Sequence, residues 1–235
     1  MKKMILSAVM LVFAASGYAQ ETGAAGAGER NEWLPTFEAV AVDADLDVKF
    51  VRVPDTEAPK IVYDTKGSYT TKFRAEVKDK TLRISEKPDS RRPDRTEVTV
   101  YYNALRAVSL SGAAATFVGT LDAAVLDVTV NRKASLTAKL DVKDLKMEQT
   151  GYSTANLSGS VRYLTLYVST GKVAASDLEV MSAEVNAQSK AEVSLWITDR
   201  FVGKTTTNAR ISYKGDPKIV RGGAKFMGGE INRVE

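Results

Sequence analysis

The sequence predicts an all-β protein, a parallel β-helix or solenoid with rungs of about 19 residues, preceded by an N-terminal β region that pairs with and caps it. Three observations carry that expectation. Cut into blocks starting at Leu126, Leu145, Leu164 and Ala183, the chain repeats one pattern. Each block holds two alternating apolar runs, the mark of strands with one buried face. No stretch shows convincing helical periodicity.

The first runs read Leu126, Val128, Val130; Leu145, Met147; Leu164, Leu166, Val168; and Ala183, Val185, Ala187. The second runs read Leu136, Ala138, Leu140, Val142; Ala155, Leu157, Gly159, Val161; Ala174, Ser176, Leu178, Val180; and Val193, Leu195, Ile197. A shorter rung precedes them, with Val108, Leu110, Phe117, Gly119, Leu121, Ala123 and Val125, and a ragged last rung begins near Val202 and carries Ile211 and Tyr213. Terminal rungs are expected to be atypical. Between the two runs of successive rungs fall Asn131, Thr150, Ser169, Gln188 and Thr207, beside Gly151, Gly171 and Asn208. Stacked rungs would set these about 4.8 Å apart. The column reads as structural: polar side chains bonding one another and the turn backbone, with neighbours that tolerate left-handed corners.

The chain before the repeat divides as follows. Residues 1–19 read as a signal peptide, with Lys2 and Lys3, an apolar stretch from Met4 to Ala15, and Gly17-Tyr18-Ala19 before Gln20. The alternative is an uncleaved anchor, for which the apolar run is short. Export would place the protein in the periplasm, on the outer-membrane surface or outside the cell. Residues 20–36, rich in Gly and Ala at first, read as a flexible linker, and residues 37–235 as a single domain. Phe37 to Val53 reads as a strand pair or one bent strand, with Phe37, Ala39, Ala41, then Leu46, Val48 and Phe50 on one side. Lys60 to Asp64 is a short strand. Lys72 to Ser85 is two strands about a turn at Lys78-Asp79-Lys80, and Glu97 to Tyr102 is another strand. The polar, proline-marked stretch from Glu86 to Arg95 is a loop whose Arg91, Arg92 and Arg95 read as solvated rather than as an anion site.

Composition narrows the chemistry. The chain has no histidine and no cysteine, which removes Ser-His and Cys-His nucleophilic sites, the usual zinc and copper sites, disulfides and a lipidated N-terminal cysteine. The net charge is +4; loss of Lys2 and Lys3 with a signal peptide lowers it to +2, too near neutrality for a nucleic-acid surface. No apolar run beyond the first reaches membrane-spanning length, and no cofactor is expected.

Outward positions on the second runs form two columns by spacing: Lys139, Ser158, Asp177 and Trp196, and beside it Asp141, Ser160, Glu179 and Thr198. Trp196 with Ser158, Asp177 and Glu179 offers ring stacking and hydrogen bonds to a sugar, and Tyr167 lies outward on the other run, flanked by Glu148 and Asn186. The competing reading, and the favoured one for a large aromatic, packs Trp196 under the C-terminal segment.

The string Leu105-Arg106-Ala107-Val108-Ser109-Leu110-Ser111-Gly112-Ala113, the rungs that follow it, and the closing Tyr213-Lys214-Gly215-Asp216-Pro217 resemble the bacterial "putative auto-transporter adhesin, head GIN domain" family. Asp47-Val48-Lys49-Phe50, Val77 to Ile84 and Glu97-Val98-Thr99-Val100 fit it too, so the resemblance covers nearly all of residues 37–230. It implies a β-helix-like fold, an exported or envelope location and no established enzyme activity. The family's Ser-Gly turn strings are replaced here by Thr150-Gly151-Tyr152, Ser169-Thr170-Gly171 and Gln188-Ser189-Lys190. The few residues between the last expected rung and Glu235 leave no room for the membrane barrel that the family's name suggests.

The favoured function is a non-catalytic binding module for a glycan or a cell-surface protein. A structural or assembly role in the periplasm is the alternative. A polysaccharide lyase or hydrolase built on Asp141, Asp177 and Glu179 is the least favoured, since Asp141 and Glu179 would sit two rungs, roughly 9.6 Å, apart.

Overall fold

The computed structural model describes residues 28–66, 72–87 and 94–234. The expected signal peptide, residues 20–27 of the expected linker, and Arg91 and Arg92 lie outside the described residues. The elements within them are strands: β1 (Arg30–Trp33), β2 (Ala39–Asp43), β3 (Leu46–Arg52), β4 (Lys60–Asp64), β5 (Phe73–Lys78), β6 (Thr81–Glu86), β7 (Thr96–Tyr102), β8 (Ala107–Ser111), β9 (Ala114–Asn131), β10 (Ser135–Gln188), β11 (Glu192–Thr206), β12 (Arg210–Lys214), β13 (Ile219–Phe226) and β14 (Glu230–Arg233). All belong to one open sheet. The protein is therefore all-β, as its alternating runs predict.

The repeat is a register of parallel pairing. Leu145 of β10 pairs with Leu126 of β9, Met147 with Val128 and Val193 of β11 with Val173. β10 runs for 54 residues without a break in strand pairing. Drawn straight it would extend about 180 Å. Instead the Ser160 hydroxyl donates to the Asp141 carboxylate, 19 residues back, at 3.1 Å. The chain thus turns back beside itself within β10. The turning points form the expected column. Arg132-Lys133, Gly151-Tyr152, Thr170-Gly171, Ser189-Lys190, Thr207-Asn208 and Met227-Gly228 all have positive φ. Neighbouring turns are stitched through their backbones, Lys133 N–H to Gly151 O at 2.9 Å and Lys190 N–H to Thr207 O at 2.9 Å.

Just inside this column lies a polar bracket. Gln149 and Ser153 are buried. The Gln149 amide donates to the carbonyls of Ser153 (2.8 Å) and Lys172 (3.0 Å), and the Ser153 hydroxyl reaches those of Val130 (3.1 Å) and Thr150 (2.7 Å). These bonds satisfy corner carbonyls that the ladder leaves over.

The N-terminal strands join the same sheet. β2 pairs in parallel with β6 on one side and β8 on the other, and β3 lies between β7 and β9. The segment of β2 and β3 is thus slotted between two that follow it in sequence. Beyond β7 and β6 the direction reverses: β4 is antiparallel to β7, β1 to β4, and β5 to β6. One apolar core runs through the whole molecule. Side chains from the first runs (Leu126, Val128, Leu145) and the second runs (Leu136, Leu140, Leu157) line one small internal void, so the two runs meet across a shared core.

Three details of the expected register are corrected. In β2, Val40 and Val42 are buried rather than Ala39 and Ala41, because the alternation slips after Phe37. In the early rung Gly119 and Val125 are exposed. Three residues, Phe117 to Gly119, bulge between Thr116 and Thr120 where only Ala138 separates their β10 partners. In the third block Val173 and Ala175 face inward, not Ala174 and Ser176. Two boundaries also differ. β1 falls inside the stretch read as linker, and β13 and β14 add a rung after Tyr213, in parallel with β11 and β12.

Candidate functional site

The second runs end at a corner where each rung passes into the next. Exposed side chains at that corner repeat with the rung period. Asp122, Asp141, Ser160 and Glu179 line a concavity of about 590 Å³ together with Lys143, Arg162 and Met181. Asp122 pairs with Asp141 in the ladder, which places the two carboxylates side by side. Like charges so placed repel unless they are engaged. Here the Arg52 guanidinium from β3 donates to Asp122 at 2.6 Å, and Ser160 donates to Asp141 at 3.1 Å. The result is a groove that carries acceptors and donors together, drawn from β9 and β10.

Ser158 and Asp177, with Lys139, line a separate concavity of about 510 Å³ that also includes Phe117, Thr137, Asn156 and Ser176. Glu179 belongs to the first groove. The ladder explains the split. Ala175 pairs with Leu195 and Glu179 pairs with Trp196, so Ser176, Asp177 and Leu178 are accommodated where β11 has no intervening residue. Trp196 therefore stands opposite Glu179, not in a column with Asp177. Its ring is half-buried. It carries the Lys214 ammonium 5.0 Å from its centroid and closely approaches Gly215, both at the end of β12. The C-terminal segment thus packs on Trp196, as the covered-aromatic reading expects. Tyr167 is half-buried, and its hydroxyl accepts a hydrogen bond from the Gln188 amide. Neither aromatic lines either concavity.

Of the five residues singled out, the structure brings together Ser158 with Asp177 and Glu179 with Trp196, and leaves Tyr167 apart. Sequence reasoning missed Asp122, Lys143 and Arg162. Asp122 and Asp141 are 19 apart, as are Lys143 and Arg162, so the signal was present in the period; the bulge at Gly119 hid it. Arg95 is held by Asp45 and by Asp47 (2.7 Å), so its charge is spent on a strand corner. Among the described residues no helix is long and apolar enough to cross a membrane.

The model of one protein family, described as "Putative auto-transporter adhesin, head GIN domain", matches residues 36–217. The chain belongs to this family. No match is found among curated proteins. Solved structures share the head GIN fold. A putative adhesin from Bacteroides fragilis superposes with a TM-score of 0.80 at 18% identity, over 89% of this chain and 97% of that one. A putative adhesin from Parabacteroides merdae gives 0.65 at 18%, over 88% and 96%. A putative lipid binding protein from Parabacteroides distasonis gives 0.65 at 16%, over 88% and 96%. At these identities the likeness concerns the fold. The family match ends at Pro217, so the rung of β13 and β14 lies outside the head GIN match.

Proposed function

We propose that this head GIN protein is an exported, non-catalytic binding module, wound as a β-solenoid, that takes up a glycan in the groove of Asp122, Asp141, Ser160, Glu179, Lys143 and Arg162. The observation that carries the reading is the groove itself, in which polar groups recur at the 19-residue period, Asp122, Asp141, Ser160 and Glu179 over four repeats and Lys143 and Arg162 over two. A sugar chain presents hydroxyl groups that both donate and accept, and its residues recur along its length. Carboxylates accept from hydroxyls, and Lys143 and Arg162 donate to ring or carboxyl oxygens. Trp196 pairs with Glu179 but lies outside the groove lining, so it is a secondary position in this proposal. Tyr167, Ser158 and Asp177 are secondary positions in this proposal.

Absence of catalysis is supported by how the carboxylates are used. Asp122 is tied to Arg52 and Asp141 to Ser160, so both are spent on mutual order rather than aimed at a reacting atom. Export rests on the Lys2, Lys3 and Met4 to Ala15 pattern.

The test is a binding screen against glycans, envelope polysaccharides and host matrix proteins, followed by the pair Asp141→Ala and Glu179→Ala. Loss of at least tenfold in affinity with the fold intact is expected for a glycan ligand, since each change strands hydroxyl partners. Binding that survives both changes, or that goes only to proteins, removes the glycan reading. The second reading, a role in assembly, is favoured by one observation: among the described residues no strand pairs with the outer side of β13 and β14.

A further inference from the structure

At the N-terminal end of the sheet, the outward face of β3, β7 and β4 carries an aromatic shelf. Strand register sets Trp33 beside Lys60, Lys60 beside Tyr101, Tyr101 beside Val51 and Val51 beside Val118, one row across five strands. The Lys60 ammonium lies over both rings, 5.6 Å from the Trp33 centroid and 4.6 Å from that of Tyr101. Trp33 is nevertheless 68% exposed and Val118 53%. β1 is the last strand of the sheet on this side, so the Trp33 ring, with one face turned to Lys60, presents the other beyond the edge.

A tryptophan left in water contributes little to folding. Yet the strand that holds this one is pinned. The Tyr63 hydroxyl donates to the Glu32 carboxylate at 2.6 Å, and the Leu34 N–H donates to the Pro59 carbonyl at 2.9 Å. Both neighbours of Trp33 are thus fixed, and the ring is held in place without being covered. An exposed ring ordered in advance suits the apolar face of a ligand, because little entropy is lost on binding.

Charge says which ligand. The carboxylates of this face stand in one row, Asp64, Glu97 and Asp47, and each is already engaged. Lys66 holds Asp64 (3.2 Å) and Glu97 (3.1 Å), and Arg95 holds Asp47 (2.7 Å). Among the described residues no carboxylate pairs with Lys60, nor with Lys49 in the row between. The uncompensated charge of the shelf is therefore positive. The same middle row offers Asn31, Thr99 and Thr116, whose amide and hydroxyls can bond a hydroxylated ligand and give an acyl chain nothing. A sugar ring with an apolar C–H face, hydroxyls at its rim and a negative substituent matches all three features.

We propose that Trp33, Lys60 and Tyr101 form a second binding site, for an acidic sugar, whose carboxylate or sulfate accepts from the Lys60 ammonium while its ring stacks on Trp33. The site shares no residue with the groove of Asp141 and Glu179, so either can fail alone.

Tryptophan emission from the full exported chain reads this site, because Trp33 stands in water whereas Trp196, the other tryptophan, is half-buried. Hexamers of galacturonate and of mannuronate carry the carboxylate, and a sulfated galactan hexamer the sulfate. A saturable blue shift with at least one of them is expected, and the one that gives it identifies the anion. For that hexamer Lys60→Gln should raise the dissociation constant about tenfold or more, the worth of a charge-assisted hydrogen bond, and Lys60→Arg should restore it. The methyl-esterified or desulfated hexamer should bind the wild type about tenfold more weakly and lose nothing further in Lys60→Gln. Both positions lie on the surface, so circular dichroism should match the wild type. No shift with any of the three hexamers overturns the proposal. So does an affinity that Lys60→Gln leaves unchanged, or a shift that persists in Trp33→Phe and so belongs to Trp196. A shift given by phosphatidylglycerol vesicles and by no hexamer makes the shelf a lipid contact and overturns it too.

Discussion

Tyr102 is fully buried, edge-on to Phe50 and Phe117 at centroid distances of 6.5 and 6.0 Å, and those two rings stack at 4.6 Å. Burial in this aromatic nest pushes its phenol up to about 12 from a usual 10.0. The phenol is neutral when protonated, so its contribution to stability is whole below pH 10. As pH rises from 10 towards 12 the unfolded chain ionises first, and stability is lost. Tyr102→Phe removes that loss. In denaturant titrations the wild type should fall by about 2 kcal/mol more than the variant across this window, one pK unit being about 1.4 kcal/mol. Identical alkaline limbs would show that the phenol reaches water. Gly159 makes a steric prediction. Its φ is 101°, and a Cβ would drive into the Leu140 carbonyl of the rung before. Gly159→Ala should cost about 1–3 kcal/mol. Gly119 also has positive φ, but a Cβ there meets nothing within 4 Å, so Gly119→Ala should cost less. Equal melting temperatures for the two variants would contradict the rung contact at Gly159.

At the scale of the element, the corner is held by side chains that span rungs. The Gln149 amide bonds the carbonyls of Ser153 and Lys172, and Gln149→Leu strands the buried Ser153 carbonyl. The expected loss is about 1–3 kcal/mol, the cost of one stranded buried group. Faster hydrogen exchange at the flanking turns, Thr150 to Ser153 and Thr170 to Lys172, should accompany it; a neutral change would mean that water replaces the amide. The same elements show what was readable beforehand. The first runs, Leu126 to Val130 and its successors, are buried in the phase expected from alternation, and so is the hairpin of β5 and β6 about Asp79-Lys80. The second runs keep the expected phase too, except in the third block, where Val173 and Ala175 are buried before the bulge and Leu178 and Val180 return to phase after it. Period-two alternation cannot register an inserted residue, so Ser176 and Asp177 displaced Trp196 from Asp177 to Glu179. β1 escaped notice because four polar or aromatic residues after a Gly/Ala stretch show no buried face. β13 escaped because Gly222 and Gly223 interrupt its pattern. The groove was half legible: Asp141, Ser160 and Glu179 stood in one expected column, but their basic counterparts lay past the end of the alternating run.

At the scale of the molecule, rigidity and repetition belong together. Parallel ladders and one continuous core tie the 19-residue repeats together, so a side chain placed once per repeat recurs beside its predecessor. The chain belongs to the head GIN family, and the likeness to solved putative adhesins concerns the fold. The central claim is that Asp141 and Glu179 contact a glycan. It is tested most directly by measuring the affinity of the best glycan from the screen for the wild type and for the Asp141→Ala, Glu179→Ala double variant, with circular dichroism confirming the fold. The account predicts saturable wild-type binding that falls at least tenfold, about 1.4 kcal/mol, in the double variant. Undiminished binding by the folded double variant, or no glycan bound by the folded wild type, would contradict it.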